Sequence, residues 1–184
     1  MGATGTDSSN STGSTFHFGV GLAYVNGIHD VSDKLEKNLG VSTNFVWPVG
    51  VLIRPEWELS HNVAFSFVAG PATFISIERS YSGASSYSNT EYDFNIPLGA
   101  DVRYSFPASG KGRPYVRAGL RYNWAGADSF DSGSVGVAGA VGFAFKEASH
   151  YGWGAEIGYD TSTMKVMNDK VTPTGLSIAV LFTF

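Results

Sequence analysis

There is no cysteine among the 184 residues. That excludes disulfide stapling, thiolate nucleophiles and cysteine-ligated zinc. Charge is scarce as well, at 15% of residues, and the formal net charge is −4. Without a cationic surplus there is no field to draw in a nucleic acid, so no nucleic-acid partner is expected. No run reaches the roughly 18 apolar residues of a membrane helix. The mean hydropathy of −0.01 would pass for that of a soluble chain, yet strands with one apolar and one polar face average to the same value. Residues Met1–Ser14 are rich in Gly, Ser and Thr and lack the charged and apolar regions of a secretory leader. They read as a flexible amino-terminal segment, 1–14, of a mature chain whose leader has been removed, ahead of one domain, 15–184.

What the chain does have is glycine, 23 residues of it, and aromatics at 14%, arranged in segments of strict alternation. The last is the clearest. Leu176, Ile178, Val180, Phe182 and Phe184 share one face, and Ser177, Ala179, Leu181 and Thr183 share the other. A water-soluble domain rarely ends on a strand with one side so apolar, whereas lipid covers such a face in a membrane barrel. Seven further segments precede it, at about 16–25, 44–59, 63–78, 92–106, 114–125, 134–146 and 151–163. In the third, Val63, Phe65, Phe67, Ile75 and Ile77 are expected on the lipid face and Ala64, Ser66, Gly70, Ala72 and Glu78 on the inner one. Eight strands suit antiparallel closure with both termini at one end.

The connections sort by parity. Those at 60–62, 107–113 and 147–150 are short. Those at about 27–43, 79–91, 126–133 and 164–172 are mostly longer and more polar, as in barrels with tight turns on one side and long loops on the other. Within the first long loop, Ser32–Leu39 predicts a helical turn or two, with Leu35 and Leu39 on one side.

The apolar faces carry aliphatic and aromatic residues and essentially no charge, with Tyr and Trp gathered toward both strand ends, where headgroups favour them. The other faces are small and polar and hold the charges: Arg54, Glu56, Glu58, Asp101, Arg103, Arg117, Arg121 and Glu156. Four acids face four bases. Eight strands leave an interior just wide enough for side chains, so these eight read as a mutually paired, lumen-filling network. A gated path or a proton relay through the same residues is the alternative.

The segments Pro97-Leu98-Gly99-Ala100-Asp101-Val102-Arg103-Tyr104 and Pro114-Tyr115-Val116-Arg117-Ala118-Gly119-Leu120-Arg121-Tyr122 resemble the recurring strands of the small eight-stranded outer-membrane barrels of Gram-negative bacteria, the OmpA/OmpX type and the opacity-protein-like group. Phe182 and Phe184 resemble that family's carboxyl-terminal signal for the barrel-assembly machinery, with Ala179 where glycine is usual. The resemblance implies an all-β, eight-stranded antiparallel up-and-down transmembrane β-barrel in the bacterial outer membrane, with periplasmic termini. It also implies contact with outer-membrane lipids, lipopolysaccharide and the assembly machinery, and a host or surface ligand met through the loops. Members include structural anchors, adhesins and evasion proteins, and similar barrels modify lipid A.

Three functions follow as expectations: a non-enzymatic surface or structural barrel, a narrow pore for small solutes, and a lipid A-modifying enzyme. For the last, only His29, beside Asp30, lies toward the long loops, while His17, His61 and His150 lie toward the short turns. No metal-ligand spacing, phosphate loop or nucleophile elbow is present, so no catalytic residue, cofactor or metal is expected. The long loops carry Lys34, Lys37, Arg79, Lys165 and Lys170 beside Asp30, Asp33, Glu36, Glu91, Asp128, Asp131 and Asp169. Such cations suit lipopolysaccharide phosphates. Tyr81, Tyr87 and Phe130 are candidate adhesive contacts.

Overall fold

The computed structural model describes residues 15–81, 87–108, 112–126, 131–147, 151–166 and 169–184. The segment 1–14, Asp128, Phe130 and His150 lie outside them, and only the backbone is described at Arg79, Tyr81, Tyr87 and Asp131. In chain order the elements are β1 (Phe16–Val25), α1 (Gly27–Leu39), β2 (Ser42–Glu58), β3 (Val63–Tyr81), β4 (Tyr87–Ser105), β5 (Gly112–Ala125), β6 (Asp131–Glu147), β7 (Tyr151–Asp160), β8 (Thr163–Val166), β9 (Asp169–Val171) and β10 (Gly175–Thr183).

Strands β1 to β7 pair successively and antiparallel, β7 pairs with β10, and β10 returns to β1 from Gly19↔Thr183 to Val25↔Ser177. The result is a closed eight-stranded up-and-down barrel, and closure removes the sheet edges that an open sheet would leave. The small β8–β9 hairpin sits in the last long connection and pairs onto the start of β6 through Asp131↔Lys165 and Ser134↔Thr163.

The outer wall is apolar. Leu22, Val51, Val137, Val141, Ile157 and Ile178 are all exposed, a surface far larger than the few hundred Å² that a soluble monomer leaves bare. Aromatic chains ring it at two levels. Phe16–Trp57 (5.1 Å), Trp57–Phe67 (5.9 Å) and a stacked Phe145–Trp153 pair (4.1 Å) lie near the short turns, while Phe45–Trp47 (5.5 Å) and Phe94–Trp124 (5.6 Å) lie near the long connections. This is the wall of a membrane barrel.

Four expectations need correction. Ile75 and Ile77 face inward, at 1% and 0% exposure, because β3 breaks register between Ala69 and Thr73 against β4. Gly70 stands there at φ +103°, and a one-residue slip exchanges the two faces of everything beyond it. Ala72 and Glu78 accordingly join the outer side, where Glu78 accepts a bond from the Asn44 amide at 3.0 Å. The helix is longer than a turn or two: it begins at Gly27, and its buried Ile28, Val31, Ser32 and Leu35 form the i, i+3, i+4, i+7 stripe of an amphipathic helix. It stops at Gly40, whose left-handed backbone (φ 63°) lets its N–H reach the Glu36 carbonyl at 3.1 Å. The connection at 79–91 is mostly strand, because β3 runs to Tyr81 and β4 starts at Tyr87. The seventh segment ends at Asp160 rather than Thr163, where the Asp160 carboxylate takes the Ser162 backbone N–H at 2.7 Å.

Candidate functional site

Inward-facing residues fill the barrel in layers. Nearest the long connections lies an apolar plug of Val25, Ile28, Val31, Leu35, Val41, Ile75, Ile77, Met164, Val166 and Val171. Helix α1 and the β8–β9 hairpin supply most of it, so the end of the barrel is closed by a small core of its own. Outside this core, Asp169 accepts bonds from the Lys34 ammonium and the Asn38 amide, each at 3.1 Å, tying the helix to the hairpin. Those donors hold the Asp169 carboxyl below its ordinary range.

Beneath the plug is a belt of buried, uncharged polar groups: Thr73, Asn95, Asn123 and Ser162. Asn123 donates to the Ser162 hydroxyl at 2.8 Å. Asn95 faces Thr73 across the β3–β4 ladder.

The ionic layer comes next, and the eight expected charges all lie in it. Arg54 grips Glu156 with both guanidinium nitrogens, at 2.9 and 2.6 Å. Arg121 holds Asp101 in the same two-pronged way, one contact being 2.8 Å. Arg103 reaches Glu56 at 2.9 Å and Glu58 at 3.8 Å. Arg117 sits at the centre, 3.4 Å from Glu56, 3.6 Å from Asp101 and 3.7 Å from Glu156, and donates to the Ser66 hydroxyl at 2.8 Å. Four positive and four negative charges cancel within one connected set. Forked arginine–carboxylate contacts are the geometry that best offsets the desolvation of such groups.

Sequence reasoning did not single out Tyr115. It is buried, donates to Glu156 at 2.9 Å, and lies with its ring 5.7 Å from the Arg103 guanidinium and 5.6 Å from that of Arg117. Its signal was available, because it shares the parity of Arg117 and Arg121 on β5. The plug was also missed: Ile28, Val31, Leu35, Val41, Met164, Val166 and Val171 sit in segments that read as loops, and Ile75 and Ile77 read as lipid-facing.

Two cavities flank the ionic layer. A small one of about 40 Å³ lies between it and the polar belt, lined by Leu52, Gly70, Asp101, Arg121, Gly158 and Asp160 among others. It has room for about two or three waters. A larger one of about 290 Å³ opens at the short-turn end, lined by His17, Glu58, Arg103, Ser105, Arg113 and Thr183 among others. There His17 Nε2 lies 3.5 Å from Glu58. Arg113 binds the carbonyls of Phe106 and His61, each at 2.8 Å, and the Asn62 side chain at 2.5 Å, which fastens the two neighbouring turns.

The other candidates do not converge. His29 and Asp30 are exposed on α1, and His61 lies in the turn between β2 and β3. Among the described residues no group of three or more His, Asp or Glu is placed to hold a metal ion. Lys37, Lys165 and Lys170 are exposed at the helix-bearing end. Phe182 and Phe184 point outward on the closing seam, where Phe184 and Phe18 exchange backbone bonds of 3.0 and 3.1 Å.

No protein-family model matches the chain, and no curated protein sequence matches it. Solved structures do. The outer membrane protein OprG from Pseudomonas aeruginosa is 14% identical, with 92% of this chain and 95% of that one covered and a TM-score of 0.55. Neisserial surface protein A is 13% identical, with 93% and 97% covered and a TM-score of 0.51. At these identities the likeness is one of fold, and the fold is that of the small outer-membrane barrels.

Proposed function

We propose that this chain is an integral barrel of the bacterial outer membrane that works by contact at its surface, without catalysis and without steady conduction. The single observation that carries this reading is the filled lumen. An apolar plug and a charge-neutral ionic layer lie in series across it, so a solute must both unseat buried aliphatic side chains and break forked ion pairs. The helix-bearing end is then external, the short turns and both termini are periplasmic, and the exposed lysines face lipopolysaccharide phosphates. Phe182 and Phe184 would serve the barrel-assembly machinery. What remains for function is the external rim, as an adhesin, an evasion factor or an envelope stabiliser.

A narrow pore is the second reading, favoured by the cavities on either side of the ionic layer. Planar-bilayer recording separates the two. The contact reading expects no steady current, and expects short turns in place of the four long connections to abolish surface binding while the barrel still folds. A steady single-channel current altered by Arg103→Ala or Glu56→Ala would establish the pore instead.

A further inference from the structure

The larger cavity, about 290 Å³, lies between the ionic layer and the short turns. That is the lower end of the range for small-molecule sites. Its shape comes from one level of the ladders. Arg113 of β5 stands directly across from Ala144 of β6, Ala144 from Gly154 of β7, and Gly154 from Leu181 of β10. The inner wall at Ala144, Gly152 and Gly154 is therefore almost bare. Elsewhere in the lumen such a position is covered from the strand beside it, as Gly142 is by the Tyr115 ring. Gly152 and Gly154 are not. A Cβ built on them meets only β6 backbone at closest range, 3.0 Å from the Phe145 carbonyl and 3.2 Å from that of Phe143. The space these glycines leave belongs to the cavity.

The rest of the lining is cationic by one uncompensated charge. Three of its arginines, Arg54, Arg103 and Arg117, belong to the neutral eight-membered network and share its carboxylates. Arg113 does not. Its Nε and Nη2 donate to neutral oxygens, the carbonyls of Phe106 and His61 and the Asn62 side chain. Among the described residues no carboxylate lies within ion-pair distance of it, and its Nη1 has no hydrogen bond. A half-buried guanidinium without a counter-charge is costly in a confined space, and an anion relieves that cost.

We infer that this vestibule binds a small organic monoanion, a short-chain carboxylate, with its charged group at Arg113 and its apolar body along Ala144, Gly154 and Leu181. Guanidinium and carboxylate are matched in shape as well as charge. One surplus cation sets the valence. A dianion such as phosphate would overcompensate it in a space that Glu56 and Glu58 also line. An organic cation has no unshared acid to meet. Glu56 lies 2.9 Å from Arg103 and 3.4 Å from Arg117, and Glu58 lies 3.5 Å from His17 and 3.8 Å from Arg103. The bare wall directly opposite Arg113 accounts for the apolar part of the ligand. This site faces away from the plug, so it goes beyond the contact function of the other rim and does not depend on it.

The test uses the full chain in zwitterionic nanodiscs at low salt, titrated with pentanoate and followed by NMR, with empty nanodiscs as the control for lipid partitioning. Saturable shifts are expected at the Ser105, Gly152, Gly154 and Thr183 amides, which line the vestibule, while the seam amides of Leu22 and Val180 stay unmoved. Arg113→Gln should weaken binding at least tenfold, and Arg113→Lys should keep it within about threefold of the parent. Ala144→Leu fills the cavity beside Arg113 without altering any charge, and should also weaken binding at least tenfold. That variant decides the matter if Arg113→Gln loosens the turns and fails to fold. Pentylammonium and inorganic phosphate should each bind at least tenfold more weakly than pentanoate. Equal binding by Arg113→Gln or Ala144→Leu, phosphate or pentylammonium binding as tightly as pentanoate, or no saturable shift at the vestibule amides overturns the inference.

Discussion

Tyr115 of β5 lies directly across the ladder from Gly142 of β6, and a Cβ built on Gly142 runs into the phenol ring. The same relation recurs in the ionic layer: a Cβ on Gly119 would strike Asp101, and one on Gly99 would strike Arg121. The bare backbone of one strand makes the space in which a large polar side chain of the next lies flat in the lumen. Gly142→Val should therefore displace Tyr115 and cost about 1–3 kcal/mol by overpacking, as measured by urea unfolding in lipid vesicles. Gly139→Ala, with its nearest neighbour at 3.7 Å, should stay within about 0.5 kcal/mol. Equal costs for the two would mean that the lumen is loose enough to absorb a side chain.

Arg54 and Glu156 form one bidentate pair but are not equally dependent on it. Glu156 also has the Tyr115 hydroxyl at 2.9 Å and Arg117 at 3.7 Å, whereas Arg54 has no other carboxylate within ion-pair distance among the described residues. Removing one partner of a buried pair typically costs about 3–5 kcal/mol. Glu156→Leu should reach that range, and Arg54→Leu should cost less. The double variant should cost less than Glu156→Leu alone, because no charge is then stranded. A double-mutant cycle on vesicle unfolding checks all three, and strict additivity would show that the two side chains are not coupled.

The alternation that made Leu176–Phe184 legible as a wall strand works because lipid and lumen impose opposite demands on successive residues. It read the faces of β1, of β2 from Phe45 onward, and of β4 to β7 in this way, and it put Arg54, Asp101, Arg117 and Glu156 on one inner surface. It failed at Ile75 and Ile77, where the break at Gly70 shifts the phase and where the side chains behind the wall are themselves apolar. Hydrophobic residues there mean a plug, not lipid, and alternation cannot tell one apolar neighbour from another. The helix was underestimated for a related reason. Asn26 does not cap it with its side chain, which instead accepts the Leu176 backbone N–H at 2.8 Å, so its first turn is secured by tertiary packing rather than by a local signal.

Leu35 is fully buried in the plug against residues of β1, β3 and the β8–β9 hairpin. Leu35→Ala opens a cavity of a kind that costs about 2–5 kcal/mol. Because the barrel ladders do not pass through Leu35, the loss should be local. Amide exchange should accelerate across Gly27–Leu39 and β8–β9, while protection of β1 and β10 at the seam holds. Uniform acceleration through the barrel would mean that plug and wall unfold as one unit.

The tie between helix and hairpin should depend on pH through Asp169. Its carboxyl is held below the ordinary range by hydrogen bonds from Asn38 and Lys34 and by the Lys34 charge, so the folded form binds that proton more weakly than the unfolded one. A depressed carboxyl contributes stability above the unfolded-state value, about pH 3.9 for aspartate, and that contribution drains away as the pH falls through the lower folded-state value. A fluorophore pair on Lys37 and Lys165, both exposed, should report separation of helix and hairpin on acidification below about pH 4, with the barrel's gel mobility unchanged. Asp169→Asn retains an acceptor for Asn38 but has no charge to lose, and should flatten that pH response. If Asp169→Asn keeps the full acid transition, the separation originates in some other carboxylate of the rim.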